Sequence, residues 1–378
     1  GNGMEFEIEK RDFLDGLAPT QGVVEKRNTL PILSNVLIEP VEGGVSIMAT
    51  DLDVGVKRIC SSTVKGSGAI TVNARKLYEI VREAPDERIR VEGDPQSFSV
   101  KIRSGKSRFS LMGLNPSDFP SVPGLSAKPG KGAVTMQAPA PALNRMIEST
   151  LFAVSMDETR FNLSGVYVEK HDDALRMVAT DGHRLAVIDG EVEGKLPEKG
   201  VILPRKGLAE VKKLLESAGA EAGPVSFILD APIAKIVVGQ GELFMRLIDG
   251  EFPDYRQVMP KKGKLQVSLP REELLAALRR VSILSTERAR GVRVTIKPGS
   301  LEVQTNNPDL GEATEDLEIG YTGEPLSIGF NSRYLIEALM VMQDTERVEL
   351  SVTDDVSPGV LRCEGDERYS YVVMPMRL

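Results

Sequence analysis

The chain has 378 residues, of which 41% are hydrophobic and 27% charged, with a formal net charge of −8, two cysteines and no tryptophan. Such a length exceeds one ordinary core and predicts two or three globular domains. No apolar run nears a membrane span and no basic-then-apolar leader precedes the first segment, so no membrane contact and a cytoplasmic location are expected. The acidic balance speaks against nucleic acid as a partner only if charge is evenly spread, and that must be read residue by residue. Gly1-Asn2-Gly3 ahead of Met4 reads as a remnant of tag removal.

In chain order, residues 11–17 read as a short amphipathic helix. Strand-like segments follow at Val45-Ser46-Ile47-Met48 and 54–59, after the turn Gly43-Gly44. Leu77, Ile80, Val81 and Ala84 then recur at helical spacing, and Asn73 stands where an N-cap accepts free backbone N–H groups. Phe98-Ser99-Val100-Lys101-Ile102 and Arg108-Phe109-Ser110-Leu111 read as further strands.

The pattern then restarts. Leu143, Met146 and Ile147 share a helix face, Ala179-Thr180-Asp181 repeats Ala49-Thr50-Asp51, and Pro204-Arg205-Lys206-Gly207-Leu208 matches Asn73-Ala74-Arg75-Lys76-Leu77. A third run brings Leu274, Leu278 and Val281, the looser Gln304-Thr305-Asn306, and Asn331-Ser332-Arg333-Tyr334-Leu335, with Leu335, Ala338, Leu339 and Met342 as its second stripe. The second-helix markers are 131 and 127 residues apart, and the Thr markers 130 and 125. Two markers keeping step predict a threefold repeat of α+β domains, each an antiparallel sheet plus two helices. The expected domains are 4–125, 130–258 and 264–378, joined by Pro/Gly/Lys-rich linkers.

Features shared by all copies read as scaffold. Asp51, Asp181 and Asn306 fit a turn in which the side chain bonds nearby backbone. Gly182-His183-Arg184-Leu185 occurs only in the middle copy and offers a polar-then-apolar wall for a partner's apolar anchor. A hydrolase using Asp181 and His183 is the enzymatic alternative, but the chain shows no converging triad, no metal-ligand spacing and no GxxxxGK loop. No catalytic residue, metal or cofactor is therefore expected. Cys60 and Cys363 read as reduced core thiols.

Val372-Val373-Met374-Pro375-Met376-Arg377-Leu378 has no linker after it, and either adaptable apolar surface or a packed final strand fits its composition. Arg75, Lys76, Arg82, Arg205, Lys206, Lys212, Lys213, Arg279, Arg280 and Arg333 fall on or beside helices, interleaved with Glu79, Glu83, Glu210, Glu272 and Glu273. A solvated face explains that mixture as well as DNA does.

Thr29-Leu30-Pro31-Ile32-Leu33, Thr180-Asp181-Gly182-His183-Arg184-Leu185, Phe252-Pro253-Asp254-Tyr255, Arg290-Gly291-Val292-Arg293 and Met374-Pro375-Met376-Arg377-Leu378 together resemble the bacterial β sliding clamp family, across essentially all of 4–378. The resemblance implies a head-to-tail homodimer of three-domain subunits closed into a ring, with helices lining a hole for duplex DNA. It implies that Arg27, Arg75, Lys76, Arg205, Lys206, Lys212 and Arg279 face DNA and that Phe109 meets Ile283 and Leu284 at ring closure. It implies a partner-peptide groove of Leu163, Thr180, Gly182, His183, Arg184, Leu185, Pro253, Val258, Asn331, Tyr334, Val372, Met374, Pro375, Met376 and Arg377. Clamp loader, replicative and translesion polymerases and mismatch-repair proteins would insert linear motifs there. The chain departs from the family at Phe161-Asn162, where members often carry two aromatic residues. A multidomain peptide-binding scaffold with no role on DNA is the other reading.

Overall fold

The computed structural model describes residues 3–25, 29–122, 124–125, 128–218, 222–288 and 290–378. Six helices lie among them: α1 (Lys10–Val23), α2 (Ala74–Glu83), α3 (Ala140–Leu151), α4 (Arg205–Ala218), α5 (Arg271–Val281) and α6 (Ser332–Val341). They fall two to a repeat, as the apolar stripes predict. Asn73 caps α2 by accepting a hydrogen bond from Lys76 N at 2.9 Å, and Asn331 caps α6 by accepting from Arg333 N at 3.0 Å. Leu77 and Val81 of α2, and Leu335, Ala338 and Leu339 of α6, are buried. Ile80 is only half-buried.

The chain packs as two compact units, Gly1–Asn144 with Val192–Pro197 and Lys206–Leu247, and Arg145–Glu191 with Glu198–Arg205 and Ile248–Leu378. Their borders cut the middle repeat because sheets run across repeats. In unit 1, Val54–Ser61 of the first repeat pairs antiparallel with Gly241–Arg246 of the second, producing a nine-stranded sheet. In unit 2, Arg184–Gly190 pairs with Tyr369–Val373 of the third repeat in an eight-stranded sheet. Each unit also holds a smaller sheet: five strands ending at Ser107–Met112 in unit 1, and four ending at Gly311–Glu318 in unit 2.

In unit 1, α1 buries Phe13, Leu17 and Val23, with Gly16 so close that an added Cβ would lie 2.3 Å from Cys60 Sγ. Burial pushes the Cys60 thiol up to about 11, as suits a reduced core cysteine. In unit 2, α5 buries Leu274, Leu275, Ala277, Leu278 and Val281. No helix of the described residues is long and apolar enough to cross a membrane.

Candidate functional site

The two Thr-Asp turns are built alike. Thr50 Oγ1 donates to Val54 O at 2.9 Å and accepts from Leu52 N at 2.9 Å, while Asp51 Oδ1 accepts from Asp53 N and Val54 N at 2.9 and 2.7 Å. In the middle repeat Thr180 Oγ1 donates to Arg184 O at 2.7 Å and accepts from Gly182 N at 3.1 Å, and Asp181 Oδ1 accepts from His183 N and Arg184 N at 2.9 and 3.1 Å. Both turns need a positive φ at their third residue, +83° at Leu52 and +90° at Gly182. These carboxylates hold backbone.

The third copy departs from the expectation. Thr305 Oγ1 donates to Gly291 O at 3.2 Å, and it is Asn307, not Asn306, whose side chain accepts a turn hydrogen bond, from Asp309 N at 2.9 Å. The strand there runs on to Asn307 before it turns, so the matched letters of Gln304-Thr305-Asn306 do not mark the same turn.

Of the segment confined to the middle repeat, only His183 is exposed beyond its glycine; its ring stacks on Tyr334 with centroids 6.0 Å apart. Arg184 is 5% exposed and each of its three guanidinium nitrogens is engaged. Nε meets Asp181 Oδ2 at 3.0 Å, Nη1 meets Glu337 Oε2 at 2.8 Å and Tyr371 Oη at 3.4 Å, and Nη2 meets Phe152 O at 3.0 Å. The guanidinium also lies 4.5 Å above the Tyr334 ring. Burial works to lower its pKa, but Tyr371, Glu337 and Asp181 outweigh it and hold the charge. Arg184 is thus a strut beneath the surface rather than a face of the wall. Asp181 is occupied by Arg184 and by backbone, which removes the acid from the Asp181–His183 hydrolase reading.

Leu185 and Val372, paired across the sheet, belong to a buried cluster with Val178, Val187, Tyr255 and Val360, against which Phe252 and Met259 pack. Leu163 is also buried, so these three of the residues expected in the groove are core. Of the others, Val258, Met374 and Met376 are 50%, 40% and 38% exposed, and Pro253 and Arg377 are exposed while Thr180, Asn331, Tyr334 and Pro375 are half-buried. The final segment is both of the things its composition allowed. Tyr369–Val373 is a buried strand, and the residues after it are fixed by backbone while their side chains face out. Met374 N donates to His183 O at 2.9 Å and Met376 N to Gly329 O at 2.7 Å. Gly291 and Gly329 leave room for Leu378, which an added Cβ would approach to 2.4 and 2.8 Å. Arg184 also lines a cleft of about 460 Å³, with Phe152, Met156, Arg160, His183, Arg333 and Glu337 among others.

A polar support that the sequence does not disclose fixes the linker side. Tyr255 Oη donates to Glu169 Oε1 at 2.6 Å and accepts from Arg176 Nη1 at 3.3 Å, and Arg176 pairs bidentately with Asp189 at 2.6 and 2.8 Å. Burial pushes the Tyr255 phenol up to about 12. With a folded pKa above the unfolded value, the neutral phenol's contribution is complete below about pH 10 and is lost as pH rises through about 12. Alkaline titration of stability should therefore lose part of its slope between those values in Tyr255→Phe.

The residues expected at DNA differ in what they can offer. Arg27 lies outside the described residues. Arg75 and Arg279 are exposed and have no ion-pair partner among the described residues. Lys76 pairs with Glu79 at 3.2 Å, Lys212 with Glu216 at 2.6 Å, and Arg205 Nη1 lies 3.0 Å from Met156 Sδ. Lys206 meets Asp51 Oδ2 at 2.5 Å, Glu25 Oε1 at 3.1 Å and Val23 O at 3.2 Å. Phe161 is 72% exposed, and Asn162 Nδ2 donates to Glu251 O at 2.9 Å. Phe109 is 40% exposed on the edge strand of the five-stranded sheet, beside Met112 at 82%; Ile283 is 75% exposed and Leu284 half-buried after α5. Exposed apolar edges of this kind invite strand pairing with another chain.

Three family models match the chain: the N-terminal domain of the DNA polymerase III beta subunit over residues 4–123, the central domain over 137–254 and the C-terminal domain over 256–377. The beta sliding clamp of Pseudomonas putida is 40% identical over 99% of this chain and all of its own length, and that of Escherichia coli K12 is 35% identical with the same coverage. The fold is similar to the sliding clamp of Bartonella birtlesii bound to griselimycin, with a TM-score of 0.90 and 38% identity over 99% of this chain and 100% of that one. It is also similar to the clamp of Bacillus subtilis, with a TM-score of 0.91 and 29% identity over the whole of both chains.

Proposed function

The chain belongs to the DNA polymerase III β-subunit family of sliding clamps, and on that premise we propose that it is a non-enzymatic processivity factor. It encircles duplex DNA as a head-to-tail homodimer and tethers polymerases through the apolar patch of unit 2. The observation that carries the docking part is the meeting of the two segments whose residues are not repeated in the other copies. His183 and Leu185 join Met374 and Met376 through the 2.9 Å bond from Met374 N to His183 O, above a prepacked apolar floor. A rigid backbone bearing methionine side chains suits several linear motifs in turn, and therefore competition among them. Clamp loader, replicative and translesion polymerases and mismatch-repair proteins are the partners of this reading.

Three domains at 4–125, 130–258 and 264–378 make up the subunit, and its work is cytoplasmic. Arg75 and Arg279 are phosphate-facing cations, joined by Lys76, Arg205, Lys212 and Arg27. Contact with backbone phosphates alone permits sliding, because it carries no base sequence. Ring closure covers the edge strand around Phe109 with the partner's surface around Ile283 and Leu284. The mass in solution tests the assembly. About twice the chain mass of 41.1 kDa is expected, and a stable species of one chain mass would refute the homodimer.

A further inference from the structure

The nine-stranded sheet of unit 1 contains a counterpart of the apolar floor of unit 2. An offset of 130 residues carries residues 50–55 onto 180–185, and the turn hydrogen bonds coincide. The next rung coincides too, since Arg246 N donates to Asp53 O at 2.8 Å as Met374 N donates to His183 O at 2.9 Å. Gly55 therefore stands where Leu185 stands, and its cross-strand partner Phe244 stands where Val372 does. The counterpart is full. A Cβ added at Gly55 would lie 2.5 Å from the Phe244 ring, one added at Gly124 would lie 2.7 Å from it, and the ring is 2% exposed. The linkers differ in the same sense: Leu125, which follows Phe119-Pro120, is 6% exposed, whereas Val258, which follows Phe252-Pro253, is 50% exposed.

We propose that Phe244 is a resident plug that closes the unit 1 counterpart and so limits each chain to one docking site, with Gly55 and Gly124 supplying its room. The inference rests on the reading of the unit 2 patch as that site. A side chain fixed in the same chain competes with a free peptide for the same seat at a high effective concentration set by the fold. Gly55 has no other evident reason to interrupt a central strand, where glycine weakens packing.

The test moves the plug. In the full chain, Leu185→Gly combined with Val372→Phe places the same pair in unit 2, and binding of griselimycin is measured by calorimetry. Wild type is expected to bind one molecule per chain, and the double variant to bind about 100-fold more weakly with an unchanged dimer mass. A folded double variant that binds like wild type overturns the plug while leaving the docking reading intact. Wild-type protein that does not bind sinks the docking reading and this inference with it. Should the double variant not fold, Phe244→Ala decides: benzene is expected to raise its melting temperature and not that of wild type, and no benzene effect overturns the proposal.

Discussion

Arg184→Met is expected to lower the stability of unit 2 by about 3 kcal/mol, read as a fall in the urea midpoint, and to abolish partner docking along with it. Arg184 sits under the patch with a side chain 4% exposed, between Asp181 at 14% and Glu337 at 28%. Removing the guanidinium leaves Asp181 without its ion-pair partner and Glu337 with Arg333 alone, at 3.2 Å, and leaves Phe152 O and Tyr371 Oη without their donor. Methionine keeps the apolar stem of arginine and ends about where Nε lies, so the loss is chiefly that of the charge and its bonds. His183 and Tyr334 stack across this strut, which couples the lost stability to the patch. Arg184→Lys should recover little, because a shorter side chain ending in one nitrogen does not reach the separate positions that the three guanidinium nitrogens hold.

Deleting residues 374–378 is expected to weaken partner-motif binding by about 100-fold or more while leaving the fold and the dimer intact. The strand Tyr369–Val373 stays buried and paired on both sides, so the sheet survives. What disappears is surface: Met374 and Met376, the two backbone bonds that hold them over His183 and Gly329, and Leu378 on Gly291. Fluorescence anisotropy with a polymerase-derived peptide reads the loss directly, and unchanged affinity would place docking elsewhere.

Local features of the fold are legible because their causes are local. Asn73 and Asn331 announce helix starts, and the stripes through Leu77 and Leu335 announce the buried face. The Thr-Asp turns are legible for the same reason, since every bond spans at most four residues. The sheets that cross repeats are not, because pairing Val54 with Met245 joins segments far apart in the chain that periodicity treats as separate. Arg184 shows the limit at the site. Its position in a motif confined to the middle copy drew attention, but its partners lie 32, 153 and 187 residues away, and only their arrival turns it from a wall into a strut. Lys206 is the same case in unit 1, where Asp51 is 155 residues distant. Asn306 failed in the opposite way: letters matched, but the strand runs on to Asn307 and the turn starts there.

The central claim is topological tethering to DNA, and retention on a nicked circular plasmid tests it most directly. With clamp loader and ATP present, the protein is predicted to co-elute with the circle through gel filtration and to be released when the DNA is linearised by a single cut. Retention that persists on the linear molecule, or that needs no loader, would contradict a ring around DNA and favour a scaffold that binds by surface contact alone.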